Sequence, residues 1–302
     1  MQQQDIVAPQ PAESEVIIET HSLSRVYPGV VALDNVNYRV YRNKVNVLIG
    51  ENGAGKSTMM KMLAGVETPS SGQIFLDGTP VSMNSTHQAE KLGISIIFQE
   101  LNLFPNMNVM DNIFMANEFF QKGKINEKYQ YALAQSLLKR LELDVDPYTP
   151  LEELGIGHQQ LVEIARALSK DTRVLIMDEP TSALSQSEVK ILFNVIEQLK
   201  RRGVTIIYIS HRLEELMEIG DYITIFRDGR FISERPVSDA SIPWIIEQMV
   251  GDKKKHFDYQ PAPQGDTVLA VQGLTALHSS GGYRLNDAFA LSVFRHQRQP
   301  FF

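Results

Sequence analysis

Gly50-Glu51-Asn52-Gly53-Ala54-Gly55-Lys56-Ser57-Thr58 fits G-x-x-x-x-G-K-[ST], the pattern of a phosphate-cradling P-loop. Directly before it, Val45-Asn46-Val47-Leu48-Ile49 is short, apolar and β-branched, which reads as a buried strand. Directly after it, Ser57 to Ala64 consists of good helix formers and stops at Gly65. Strand, glycine loop and helix are the setting the motif requires. The glycines let backbone N–H groups turn inward with no Cβ in the way. Those donors and the helix N-terminus suit phosphate oxygens. Lys56 would reach the β- and γ-phosphates of a nucleotide, and Ser57 would hold Mg²⁺. A glycine turn that merely precedes a lysine would lack both flanks.

The chain has 302 residues, 43% of them hydrophobic, enough for one large domain or two small ones with a real core. Lys and Arg number 29 against 36 Asp and Glu, a net charge of −7, so non-specific nucleic-acid binding is disfavoured. The absence of cysteine excludes disulfides and is compatible with the cytosol. No apolar run approaches the length that spans a bilayer. Residues 1–15 are rich in Gln and Pro, lack a basic segment followed by an apolar one, and read as a disordered leader.

Val16-Ile17-Ile18-Glu19 reads as a strand, Tyr27-Pro28-Gly29 as a turn, and Val36 to Val40 as a half-buried strand. Gln73-Ile74-Phe75-Leu76 and Ile94-Ser95-Ile96-Ile97-Phe98 are further strands, the second ending at Gln99. From about 109 to 170 the pattern turns helical. Leu133, Leu137, Leu138 and Leu141 share one face, and Leu161, Ile164, Ala165 and Leu168 share another. Strand and helix then alternate: Val174 to Met177, the stripe Val189, Leu192, Phe193, Ile196 and Leu199, then Thr205 to Ile209, Tyr222 to Phe226, and a last helix over Ile242 to Met249. The expected architecture is an α/β domain over 16–250 with a helical insert near its middle.

Residues 251–266, with Lys253-Lys254-Lys255 and Pro261-Ala262-Pro263, read as a solvated linker. Val268 to Leu274 echoes Ile17 to Leu23, and Leu285-Asn286-Asp287 echoes Leu33-Asp34-Asn35. Residues 267–302 are therefore expected to be the truncated start of a second copy of the domain.

The apolar run Val174 to Met177 ends in Asp178-Glu179-Pro180-Thr181, a Walker B arrangement. Asp178 would serve Mg²⁺, and Glu179 would polarise the attacking water. An acidic turn capping a strand would look the same in isolation; behind a P-loop the metal reading is favoured.

Leu154-Gly155-Ile156-Gly157-His158, just before the Leu161 helix, resembles the LSGGQ signature of ATP-binding cassette (ABC) ATPases. With the Walker pair, the whole of 16–250 resembles one ABC nucleotide-binding domain. The resemblance implies a P-loop NTPase fold with an antiparallel β subdomain and a helical insert subdomain. It implies ATP and Mg²⁺ as ligands, with Tyr27 stacking on adenine and Gly50 through Thr58 around the phosphates. It makes Gln99 the glutamine that senses the γ-phosphate and Mg²⁺, Ser182-Ala183-Leu184-Ser185 the D-loop, and His211 the switch histidine. It has Leu154 to His158 meet the γ-phosphate on a partner domain.

Ile97-Phe98-Gln99-Glu100-Leu101-Asn102-Leu103-Phe104-Pro105 and Gln160 to Leu168 narrow the resemblance to bacterial monosaccharide importers of the ribose, galactose and arabinose type, as do Tyr208 to Arg212 and Phe226 to Gly229. These are tandem cassettes in one chain. The resemblance implies a membrane permease, a periplasmic sugar-binding protein and a second ABC cassette as partners, no nucleic acid, and a peripheral position on the cytoplasmic face of the inner membrane. Gly155, Ile156, His158 and Ser185 depart from the family pattern, and Gly155 lacks the hydroxyl that would bond the γ-phosphate. The expected function is ATP hydrolysis that drives import of a monosaccharide-like solute. A non-hydrolysing ATP-binding fragment and a soluble ABC ATPase outside transport are the alternatives.

Overall fold

The computed structural model describes residues 15–251. All but Glu15 of the expected leader, all but Gly251 of the expected linker, and the expected second-copy start at 267–302 lie outside those residues.

The strand before the glycine loop, β3 (Val45–Ile49), follows β1 (Val16–Tyr27) and β2 (Val30–Tyr41) and is buried along its whole length. The loop opens into α1 (Lys56–Leu63), followed by β4 (Ser71–Leu76), β5 (Thr79–Val81), α2 (Thr86–Lys91) and β6 (Ile94–Ile97). Next come α3 (Val109–Phe114), β7 (Phe120–Gln121), β8 (Lys124–Ile125), α4 (Glu127–Arg140) and α5 (Ile156–Leu168). The chain ends its described part with β9 (Val174–Asp178), α6 (Gln186–Arg201), β10 (Thr205–Ile209), α7 (Leu213–Ile219), β11 (Tyr222–Arg227), β12 (Arg230–Pro236) and α8 (Ile242–Val250).

Two larger sheets result. One runs β12-β11-β3-β10-β9-β6, all parallel except β12. The other is antiparallel, β2-β1-β4-β5. The central strands are near-continuous apolar runs because both faces of a parallel sheet are covered. Their residues still divide with the period of two that a strand imposes. Val45, Val47, Leu175, Met177, Ile206 and Tyr208 join the core formed with α3 to α8. Leu48, Val174, Ile176, Ile207 and Ile209 join a second core with α1 and the antiparallel sheet. In that core Met59, Met60, Met62 and Leu63 seat α1. Asn46, a polar residue in the apolar run of β3, is buried and satisfied: its Oδ1 accepts Tyr41 N–H at 2.7 Å, and its Nδ2 donates to Tyr41 O at 2.9 Å.

Three expectations change. The first strand runs on to Tyr27 instead of stopping at Glu19, because register shifts at Thr20 and Leu23 absorb the polar stretch that hides its periodicity. The helical stretch 109–170 is broken by the β7–β8 hairpin, whose Lys122 and Gly123 take φ of 52° and 77°. Two successive left-handed residues make the turn that suits a two-residue hairpin. The signature helix starts at Ile156, upstream of Leu161, with Gly155 as an N-cap that offers no side-chain bond and so leaves no sequence signal.

Candidate functional site

Strands β3, β10, β9 and β6 lie side by side and parallel, so their carboxyl ends share one edge. That edge is where open α/β sheets place ligands. It carries the glycine loop after β3, Ser210 and His211 after β10, Asp178 and Glu179 at the end of β9, and Gln99 just beyond β6.

The loop's glycines have separate reasons. Gly53 and Gly55 take φ of 82° and 95°, a region closed to most side chains. A Cβ on Gly55 would sit 2.6 Å from Leu33 Cδ2 and 2.7 Å from Ala32 O, and one on Gly50 would overlap the carbonyl oxygen of Phe226. Packing against β2 and β11 thus fixes two of them. Nothing lies within 4 Å of a Cβ built on Gly53, so that face of the loop is open to a ligand. Glu51 and Asn52 lie exposed at the loop tip, Ala54 is buried beneath it, and Thr58 is half-buried in the first turn of α1.

Lys56 Nζ donates to Gly50 O at 2.7 Å and Glu51 O at 3.0 Å, which leaves one of its three N–H groups. Burial lowers its pKa, and the carboxylates of Asp178 and Glu179 oppose that shift. The pKa of Asp178 is raised by burial and then by Glu179, while the Ser57 hydroxyl beside it and the charges of Lys56 and Lys61 pull it back. Two of the three residues expected at Mg²⁺, Ser57 and Asp178, are therefore neighbours, while the third, Gln99, is bonded to Glu179. Among the described residues no cluster of three or more His, Cys, Asp or Glu could hold a metal by itself. A hydroxyl, a carboxylate and substrate phosphates fit Mg²⁺, which keeps waters and seldom uses an all-protein cage.

Glu179 is the convergence point. Its Oε2 accepts Gln99 Nε2 at 3.1 Å, and its Oε1 lies 3.2 Å from His211 Nδ1. Its backbone has φ of 49°, and its N–H donates to Ile209 O at 2.9 Å, so β10 holds the turn that presents the carboxylate. Two residues far apart in sequence, Gln99 and His211, are thereby brought to one carboxylate, with Lys56 and Asp178 beside it.

The remaining expected residues sit elsewhere. Tyr27, at the end of β1, donates its hydroxyl to Glu67, and the Arg25 guanidinium stands 4.8 Å from its ring centroid. One ring face is thus engaged by this chain. Leu154 is half-buried, Gly155, Ile156 and His158 are exposed, and Gly157 is buried in the first turn of α5. The Glu188 carboxylate lies against Gly157, where a Cβ would overlap it. Glu188 also closes a capping box with Ser185 at the start of α6.

Two groups escaped the sequence reading. Glu188 had a legible signal, the Ser185-x-x-Glu188 spacing of a capping box, although its second partner on α5 did not. Glu215 had none. It accepts Thr181 Oγ1 at 2.7 Å and Arg212 Nη1 at 2.9 Å, tying the turn after Glu179 to the neighbour of His211.

Residues 33–182 match the family model described as ABC transporter. The chain is 44% identical over 286 residues to a xylose import ATP-binding protein of Thermoanaerobacter pseudethanolicus, covering 93% of this chain and 57% of that protein. It is 42% identical over 276 residues to a ribose import ATP-binding protein of Rhodopirellula baltica, covering 90% of this chain and 54% of the relative. The chain thus spans about half the length of these curated relatives. Among solved structures, a component of an ABC transporter complex from Clostridium perfringens superposes with a TM-score of 0.67 at 27% identity, over 78% of this chain and 94% of that one. An ATP-binding cassette of another ABC transporter gives 0.69 at 26% identity, over 78% and 99%.

Proposed function

The chain belongs to the ABC transporter family, and from that premise we propose that its cassette binds MgATP and hydrolyses it to drive import of a monosaccharide-like solute. The observation that carries this reading is the meeting of Gln99, Glu179 and His211 beside the glycine loop. Lys56 and the loop amides hold the phosphates of the substrate. Ser57, Asp178 and Gln99 would hold Mg²⁺, which neutralises charge on the β- and γ-phosphates when bound. Glu179 orients the attacking water and accepts its proton. Gln99 and His211 fix the direction of that carboxylate. Tyr27 offers its free ring face to adenine.

The word import in the relatives' names supports membrane partners for this chain. A membrane permease would receive the closing motion, a periplasmic sugar-binding protein would deliver solute to it, and the chain would lie peripherally on the cytoplasmic face of the inner membrane. Among the described residues no helix is long and apolar enough to cross a membrane.

We infer further that the face opposing this ATP comes from a second cassette unlike this one. Two observations support it. Gly155 brings no hydroxyl, and the Glu188 carboxylate lies against Gly157 in the signature segment. In a pair of identical chains that carboxylate would face a γ-phosphate of like charge. The test is steady-state ATPase of the chain with its permease and second cassette, beside the Glu179→Gln variant. Turnover in the wild type and none in a variant that still binds ATP is expected. Retained turnover in Glu179→Gln would remove Glu179 from the base role.

A further inference from the structure

Between β6 and α3 the chain crosses residues 98–108 with no regular structure. Side chains from the helical insert grip this strap at two backbone units. At Asn102, the N–H donates to Glu163 Oε1 at 3.3 Å, and the carbonyl accepts Arg166 Nη1 at 2.8 Å; both side chains come from α5. At Phe104, the N–H donates to Asn112 Oδ1 at 2.7 Å, and the carbonyl accepts Asn112 Nδ2 at 3.0 Å. Asn112 lies on α3 and is fully buried. An unpaired loop would leave these four backbone groups to water.

We propose that Glu163, Arg166 and Asn112 are positioning residues that fasten the strap to the helical insert, so that Gln99 and the insert move as one body. This rests on the reading of Gln99 and Glu179 given above. The strap has an inner and an outer end. At the inner end Gln99 bonds Glu179 at 3.1 Å. At the outer end the Phe104 ring is 48% exposed although its backbone is held on both sides. A push on that ring or a shift of α5 must therefore travel through Asn102 to Gln99, because the grips are two-point bonds to backbone and leave little slack.

The surroundings of Glu163 support a dedicated role. Only 6% of the residue is exposed, and its Oε2 has no partner. One turn earlier on α5, Gln160 Nε2 is also buried without one. Burial pushes the Glu163 carboxyl up to about 7, with the Asn102 N–H and the Arg166 charge working against the shift. A helix gains nothing in stability from such a carboxyl, which fits a residue kept for what it holds.

The test uses Glu163→Ala, Arg166→Ala and Asn112→Ala, with Glu163→Gln and Arg166→Lys as variants that keep the acceptor and the donor. Amide hydrogen exchange at residues 99–104 and the MgATP affinity are measured first. Faster exchange in the alanine variants, restored in the conservative pair, is expected, with affinity within about twofold of wild type. Single-turnover hydrolysis, measured with the permease and second cassette present, should fall on the order of 10- to 100-fold, as for a group displaced by a fraction of an ångström to an ångström. In a Gln99→Ala background Glu163→Ala should cost nothing more. Multiplying losses in that double variant, or affinity falling in step with rate, would overturn the proposal. Should the wild type bind MgATP without turning it over, the hydrolysis reading fails instead. Exchange at Gln99 then decides: unchanged protection in the alanine variants overturns the fastening, and lost protection supports it.

Discussion

Glu163→Gln should make the protein more stable, by an amount that grows as pH rises from 4.5 to about 7. The carboxyl pKa is raised from 4.5 to about 7, burial being the largest cause. A raised carboxyl means that the folded chain holds a proton which the unfolded chain has already released. Between pH 4.5 and 7 the native state therefore binds more protons, and unfolding free energy falls as pH rises. The contribution is fully present below pH 4.5 and gone above 7. A difference of that size corresponds to ~3 kcal/mol. Glutamine does not titrate and resembles the protonated acid, since each places a donor where Oε2 finds no partner. The two proteins should therefore melt together at and below about pH 4.5. At pH 8 the variant should melt higher by about 6–12 °C, using ~2–4 °C per kcal/mol for a domain of this size. The assay is thermal and urea unfolding of both proteins at intervals from about pH 4.5 to 8. The difference between the curves isolates this one group from every other titration. Parallel curves across that range would refute the reasoning, and so would a variant that loses stability at pH 8.

Other substitutions test the packing around the glycine loop and the signature helix. Gly50→Ala should destabilise by at least ~3 kcal/mol or abolish soluble expression, because the new Cβ meets the carbonyl of Phe226, backbone of a central strand that cannot yield; a melting temperature near wild type would contradict it. Gly157→Ala should cost only ~1 kcal/mol, since its Cβ would come 2.8 Å from Glu188 Cγ and displace a flexible side chain from its cap. That loss should vanish in a Glu188→Ala background, read by urea unfolding of the four proteins in a mutant cycle.

Much of the nucleotide edge was legible because its signals are local. The residues of β3 and the start of α1 could be read from spacing alone, and so could the strand that presents Asp178 and Glu179. What spacing could not supply was distance across the fold. Glu163 reaches Asn102 across 61 residues, and Asn112 turns back on Phe104 from a helix of six residues that has no long periodic stripe. Neither carries a pattern that a sequence window can see. The same holds for Tyr27, whose hydroxyl is captured by Glu67 from a loop 40 residues away. Strand β1 was read short because Thr20, His21 and Ser22 break the apolar alternation, although the buried Thr20 hydroxyl is satisfied by Val36 O at 3.1 Å. Helix α5 was read late because glycine at its N-cap provides conformation without a side-chain bond.

Whether the glycine loop and Lys56 form a nucleotide site is read by calorimetric titration of MgATP into the wild type and Lys56→Ala. Thermal melts of both proteins would confirm that the variant is folded. Saturable binding by the wild type is expected, with an affinity lower by on the order of 100-fold or more in the variant, which loses a partly buried charge beside the phosphates. Equal affinity in the two proteins would contradict it.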